Sequence, residues 1–334
     1  MNDQVAERAI MGDAIDNPLV TFVLFAYNQE AYIRDAIAGA LAQSYEPLEI
    51  IISDDCSSDR TFAIMEEMVA SYSGPHLVRL RRSATNLGLS RHINECVRDA
   101  KGTIITWAAG DDIALPERTR KLVQPMLFDR SVYGVHSSII EIDENGQKIG
   151  ERQHPESVMN IRLSSVCSNG VSVISQAHAF RREVFDLFGG FRGDLTNEGP
   201  VMAFRESILG SVVFVNSPTT LYRIGSGTST YSGHDIDRVK ISEPVKISNW
   251  RRTAFLQMLD DADRGVGRLR PEDRSAIEKN AEFFSNLWHI NKRDRVLRMT
   301  LKNILIKPGD STSLRAMFRV LIPRALFRLA KRVV

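Results

Sequence analysis

The sequence predicts an α/β protein: a mostly parallel sheet flanked by helices, followed by a helical C-terminal region. Three observations carry this. Short apolar, β-rich runs alternate with segments of helical periodicity from residue 18 to about residue 112. Two of these runs lead into adjacent carboxylates, Asp54-Asp55 and Asp111-Asp112. Strand patterning stops near Ile236, and the pattern beyond it is helical.

Residues 1–17 read as a polar, partly helical tail. Val20–Phe25 is a continuous apolar run of strand length, as expected for a strand buried on both faces. Ile33, Ile37, Ala40 and Leu41 then recur at helical spacing. Leu48–Ser53 is the second strand, and Asp59 opens a helix bearing Phe62, Ile64, Met65, Met68 and Val69. Val78–Leu80 is a short strand. Ser90–Ala100 is a helix with Gly102 just past its end, where glycine is favoured. Thr103–Trp107 is again a strand and leads to Gly110-Asp111-Asp112. This β-α order implies parallel strands with right-handed crossovers. Ligands of such sheets bind beyond the carboxyl ends of the strands, so both acidic pairs are expected at one crevice.

Beyond Pro116, Leu122–Leu127 is helical. Val132–Ile142 alternates and then turns at Asp143-Glu144-Asn145-Gly146, a hairpin signal. A helix within 181–191 stops at Gly189-Gly190, Val201–Leu209 is a helix, Ser211–Val215 a strand, and 224–235 a polar Gly/Ser loop. Residues 244–306 are helical, with breaks near Gly265–Pro271. The predicted organisation is a tail (1–17), a main domain (18–235) and a helical region (236–334).

The 43% hydrophobic and 25% charged fractions are ordinary for a globular chain. The formal net charge of +2 argues neither for nor against nucleic acid, and no nucleic-acid partner is expected. The three cysteines, Cys56, Cys96 and Cys167, are odd in number and lack CxxC spacing, which predicts a reducing compartment. No signal-like segment opens the chain, and no apolar run reaches the about 18–20 residues of a membrane span. From Asn291 basic residues dominate, and in RALFRLAKRVV Arg324, Arg328, Lys331 and Arg332 share one helical face opposite Leu326, Leu329 and Val333. That pattern predicts a membrane-surface contact from the cytoplasmic side, on the inner face of the plasma membrane. A docking helix with solvated arginines is the plainer alternative.

Paired carboxylates at the mouth of a parallel sheet suit Mg²⁺ or Mn²⁺ holding a diphosphate, because these ions take one or two carboxylates and complete their shell with water and phosphate oxygens. Asp111-Asp112 equally suits a cap ahead of the helix after Pro116. Other chemistries are excluded by pattern. No G-x-G-x-x-G follows the first strand, and there is no Walker lysine, no G-x-S-x-G elbow and no H-E-x-x-H. A nucleotidyltransferase is disfavoured by the missing Gly-rich basic loop.

Taken together, VTFVLFAYNQE, LEIIISDDCSSDRT, NLGLSRHINECVRDAKGTIITWAAGDDIALPER and LYRIGSGTS resemble the ordered motifs of family-two glycosyltransferases over about residues 19–230. The resemblance implies a GT-A fold, a nucleotide-diphosphate sugar donor with UDP as the default, and a Mn²⁺ or Mg²⁺ cofactor. It implies transfer, with inversion, to a glycan or lipid-linked saccharide acceptor in cell-surface polysaccharide synthesis. Nucleotide contacts are implied for Ala26, Tyr27, Asn28 and Glu30 in the first motif and for Asp54, Asp55, Arg91 and Asp111 further on. Asp54 has a structural role as its alternative. Metal binding is implied for Asp111 and Asp112, with Asp112 favoured, and a diphosphate contact for Arg223.

Three positions depart from the family pattern. Ala109 stands where the longer D-x-D-D form has its first acid, and Gly225 stands where a histidine follows Tyr-Arg. In LTNEGPVMAFR, Gly199 stands where the catalytic aspartate is usual. Glu198, one residue away, is then the expected base, with Glu206 or Asp194 as alternatives. A chain with nucleotide affinity and no turnover is the rival expectation.

Overall fold

The computed structural model describes residues 17–225 and 243–293, with side chains described to residue 225 and over 247–289. The N-terminal tail, most of the 224–235 loop and the basic C-terminal tail lie outside the described residues. So, therefore, does the expected membrane contact. Among the described residues, no helix is long and apolar enough to cross a membrane.

In chain order the elements are β1 (Val20–Ala26), α1 (Ile33–Leu41), β2 (Leu48–Asp54), α2 (Thr61–Ala70), β3 (Leu77–Arg82), α3 (Leu89–Asp99), β4 (Ile104–Ala109), β5 (Ile113–Ala114) and α4 (Arg118–Phe128). There follow β6 (Val132–Ile142), β7 (Lys148–Glu151), the short α5 (Glu156–Met159), α6 (Leu163–Asn169), β8 (His178–Arg181), α7 (Glu183–Phe188), α8 (Gly199–Leu209) and β9 (Ser211–Arg223). Two long helices close the described chain, α9 (Glu243–Asp263) and α10 (Pro271–Arg293).

One sheet runs β3-β2-β1-β4-β8-β6-β9-β5, with β7 paired to β6. The β3-β2-β1-β4 half is parallel throughout, as the alternation of strand and helix requires. Its inner strands β1, β2 and β4 are largely apolar because successive side chains enter different cores, whereas the edge strand β3 carries three arginines. Ile50 and Ile52 pack with Phe22, Leu24, Ile33 and Ile37 on one face. Ile51 packs with Val23, Trp107 and Phe180 on the other.

The second half departs from expectation. His178–Arg181, with no strand predicted, enters antiparallel between β4 and β6. β9 continues to Arg223 rather than stopping at Val215, and it runs parallel to β6 with two register shifts. The predicted hairpin joins β6 to β7, with Gly146 at φ 81°. The predicted break near Gly265–Pro271 separates α9 from α10, with Pro271 at the first helical position.

The C-terminal helices share a core with the sheet: Phe255, Met258 and Ile277 cluster with Trp107, Phe180 and Phe204. Arg205 of α8 is fully buried and grips Asp261 of α9 through two bonds, 2.7 and 2.9 Å, while stacking among Phe185, Phe188 and Phe191. Removing either partner would strand a buried charge, at a cost of about 3–5 kcal/mol.

Candidate active site

A cleft of about 420 Å³ opens beyond the carboxyl ends of β1, β2 and β4. Ala26, Tyr27, Asp55, Asp111, Asp112 and Glu198 all line it. The fold thus brings these expected site residues to one space from separate segments of the chain. Tyr27 presents an exposed ring at 46% accessibility, a ready platform for a flat base.

Asp54 and Asp55 part company at the end of β2. Asp54 is fully buried and does not line the cleft. Its carboxylate accepts the Ser57 amide at 3.0 Å and the Ser57 hydroxyl, and pairs with Arg82 at 3.1 Å. Asp54 therefore ties down the loop that follows β2. Asp55 accepts the amides of Leu87 and Gly88, each at 2.9 Å, and so ties the 86–88 turn to the cleft wall.

Four further expected site residues, Asn28, Glu30, Arg91 and Arg223, do not line the cleft. Asn28, in the left-handed region at φ 51°, accepts the Ser58 amide at 2.8 Å and bridges two loops instead of lining the cleft. Glu30 is exposed and accepts the Arg60 amide at 2.9 Å. Arg91 is exposed outside the lining, its guanidinium beside Gly193. Arg223 is buried behind the acids. Its amide donates to Asp112 at 3.0 Å, its Nε to the Asp111 carbonyl at 3.1 Å, and its Nη1 to the carbonyls of Asp143 and Glu144. It braces the second acidic pair from below.

Asp111 and Asp112 are nearly buried, at 6% and 2% accessibility. Burial first, and the neighbouring Asp111 charge second, push the Asp112 carboxyl well above the usual range; Arg223 and the fully buried Arg118 oppose the shift only in part. Two acids crowded at a cleft wall in this way fit a divalent cation, which would relieve their repulsion and leave coordination positions for water and phosphate. Among the described residues no cluster of three or more ligating side chains exists. A Mg²⁺- or Mn²⁺-type site does not need one.

Glu198 occupies the position just before α8, makes no side-chain capping bond, and is partly buried at the cleft wall. Burial raises its carboxyl pKa, while the Ser175 hydroxyl and His178 pull it back. Gly199 has no room for a side chain. A Cβ there would collide with Ser172 Oγ and lie 2.8 Å from Ser175 Oγ. The alternatives for the base are elsewhere: Glu206 is fully buried against His178, and Asp194 pairs with Arg192 at 3.0 Å outside the cleft lining.

Several lining residues carried no functional expectation from the sequence. Gln29 donates its amide to Thr61 Oγ1 at 2.8 Å, and its side-chain oxygen is buried without a partner among the described residues. His92 hydrogen-bonds Ser53, and its pKa is lowered by burial against the opposing pull of Asp55. Trp107 donates Nε1 to the Ser175 carbonyl at 3.0 Å. Trp250 of α9 lines the far side. Gln29, His92 and Trp107 lie within the motif segments, where their residue types alone do not mark them; Trp250 lies outside any motif.

A family model described as glycosyl transferase family 2 matches residues 21–188, from β1 through α7. EpsE of Bacillus subtilis (strain 168), named as a candidate glycosyltransferase, is 33% identical over 129 residues, 39% of this chain and 46% of EpsE. The alignment thus spans under half of that relative. An uncharacterised protein of Mycobacterium tuberculosis (strain CDC 1551 / Oshkosh) is 28% identical over 229 residues, 64% of this chain and 69% of that protein. Among solved structures, S. aureus TarS 1-349 in complex with UDP-GlcNAc aligns with TM-score 0.57 and 15% identity, over 90% of this chain and 79% of that one. Mannosyltransferase PcManGT from Pyrobaculum calidifontis, in complex with GDP-Man and Mn²⁺, aligns with TM-score 0.58 and 16% identity, over 95% and 85%. At such identities the structural likeness speaks for the fold, which is GT-A. With the matched segment running across both acidic pairs and the parallel half of the sheet, the chain belongs to glycosyl transferase family 2.

Proposed function

We propose that this protein is an inverting, metal-dependent glycosyltransferase that moves a sugar from a nucleotide-diphosphate donor to a hydroxyl of a glycan or lipid-linked saccharide, with UDP as the expected nucleotide. The observation that carries the reading is that Glu198 and the Asp111-Asp112 pair line the same cleft, whereas the alternative bases Glu206 and Asp194 do not.

Tyr27 and Asp55 would hold the nucleoside, Tyr27 by its exposed ring. Asp111 and Asp112 would hold Mn²⁺ or Mg²⁺, which when bound supplies charge neutralisation for the departing diphosphate. Glu198 would take the proton from the acceptor hydroxyl as its oxygen bonds to the sugar's anomeric carbon. The bond from that carbon to the diphosphate breaks, and the electron pair leaves with the nucleotide. A carboxylate whose pKa is raised by burial is a stronger base than an ordinary glutamate, which suits this step.

The test is release of nucleoside diphosphate from a panel of nucleotide sugars with Mn²⁺ or Mg²⁺, with Glu198→Gln alongside. Wild-type release that Glu198→Gln lowers by at least about 100-fold is expected; equal rates would remove Glu198 as base. Gly199, in the usual aspartate position, favours a second reading as a nucleotide-binding subunit without turnover. Metal-dependent UDP binding with no release from any donor would select it.

A further inference from the structure

A second cavity, of about 300 Å³, lies beside the cleft of the acids. It is set between the loop after α6, the start of α8 and helix α9. Asn197 and Trp250 line both spaces, so the two adjoin. Glu198 stands on this boundary: Asn197 before it lines both spaces, and Pro200 after it lines the second. The inner wall of the second cavity is apolar, with Phe255 and Met258 buried. Its edge is polar. Asn197 supplies an amide there, and Arg251 an exposed guanidinium. Arg251 Nη1 donates to the Asn169 carbonyl at 3.0 Å, and the guanidinium lies over the Phe284 ring. Helix α9 is tied down along its length: the Arg192 amide donates to Gln257 at 2.6 Å, and Asp261 takes the buried Arg205. The cavity is thus walled by fixed elements.

We propose that this second cavity receives a pyranose ring of the acceptor saccharide, with Trp250 and Arg251 as the residues that select it. This rests on the reading of the first cleft as the donor site. Transfer between two substrates needs two adjoining sites, with the proton-accepting group where they meet. Glu198 occupies that boundary. A pyranose has an apolar C–H face and a rim of hydroxyls. An indole suits the face, and a side-chain amide and a guanidinium suit the rim. A bare alkyl chain would leave the polar edge without partners. Both selecting residues lie beyond residues 21–188, the segment that matches the family. Acceptor choice is then set by this chain's C-terminal helices, while the matched segment handles the donor.

The experiment is a titration of the full chain, labelled with ¹⁵N-tryptophan, with the methyl pyranosides of glucose, galactose, mannose and N-acetylglucosamine. The protein is first saturated with UDP and Mg²⁺. The three tryptophans give three indole signals, and that of Trp250 is assigned by its loss in Trp250→Phe. At least one pyranoside should shift the Trp250 signal saturably. Ile247→Phe, which narrows the second cavity, should weaken that response by at least about tenfold. Arg251→Ala, at the exposed edge, should weaken it in the same direction and stands in if Ile247→Phe does not fold. No shift with any pyranoside, a shift of Trp107 without Trp250, or an unchanged response in the variants overturns the inference. Repeating the titration without UDP separates the two readings. A response at Trp250 in a protein that does not bind UDP supports the saccharide site and removes the donor reading. UDP binding with no saccharide response removes the saccharide site and leaves the donor reading intact.

Discussion

Asp54-Asp55 ends one parallel strand, and Asp111-Asp112 follows another two places away in the same sheet. In the first pair every acid is answered. Asp54 accepts from Ser57 and pairs with Arg82, and Asp55 accepts two backbone amides. In the second pair burial and mutual repulsion outweigh the donors that reach Asp112, and its carboxyl is raised accordingly. Equal residues at similar strand ends thus have different chemistry because of what surrounds them. An acid already satisfied by N–H groups shapes a loop or a pocket wall; an acid crowded by a second acid invites a cation.

Substitutions can break or sharpen this contrast, and their effect on ligand handling should fall in a set order. Asp112→Asn should lower metal-dependent nucleotide release by more than about 100-fold, since even outer-shell changes at metal sites cost about 10–100-fold. Its thermal melt should show a folded protein. Retained release would move the metal away from this pair. Asp55→Asn should weaken binding of the free nucleoside diphosphate by about tenfold, from one lost charged acceptor at the 86–88 turn; calorimetry reads it directly. Asp54→Ala should leave the affinity of the folded protein unchanged and lower unfolding stability by about 1–3 kcal/mol in a denaturant melt, as the Ser57 and Arg82 groups lose their partner. If Asp54→Ala instead lost nucleotide binding with stability intact, the two acids of the first pair would not differ as described.

Much of this was legible from the chain. The parallel half follows from local periodicity, and the strand-end position of both pairs follows from the order of its elements. The hairpin at Asp143–Gly146 is likewise local. What was not legible depended on distant packing. β8 is only four residues long and joins the sheet antiparallel through neighbours far along the chain. Glu206 looked like a possible base, yet Gly134 gives it a buried site beside His178. Gly199 looked like a loss, and its meaning came from Ser172 and Ser175 occupying the space. Arg223 sat in the right motif, but Asp143 and Glu144 of the β6–β7 turn hold its guanidinium behind the acids.

Arg205, seven residues after Glu198 in the same motif segment, does not line the cleft. Its two bonds to Asp261 and its bed of phenylalanines join the motif helix to the C-terminal helices. Anyone building chimeras from this scaffold would find no clean seam after the sheet. A transplanted catalytic half must bring Asp261 and its helix along, and a library that recombines relatives should treat Arg205 and Asp261 as a single inherited unit.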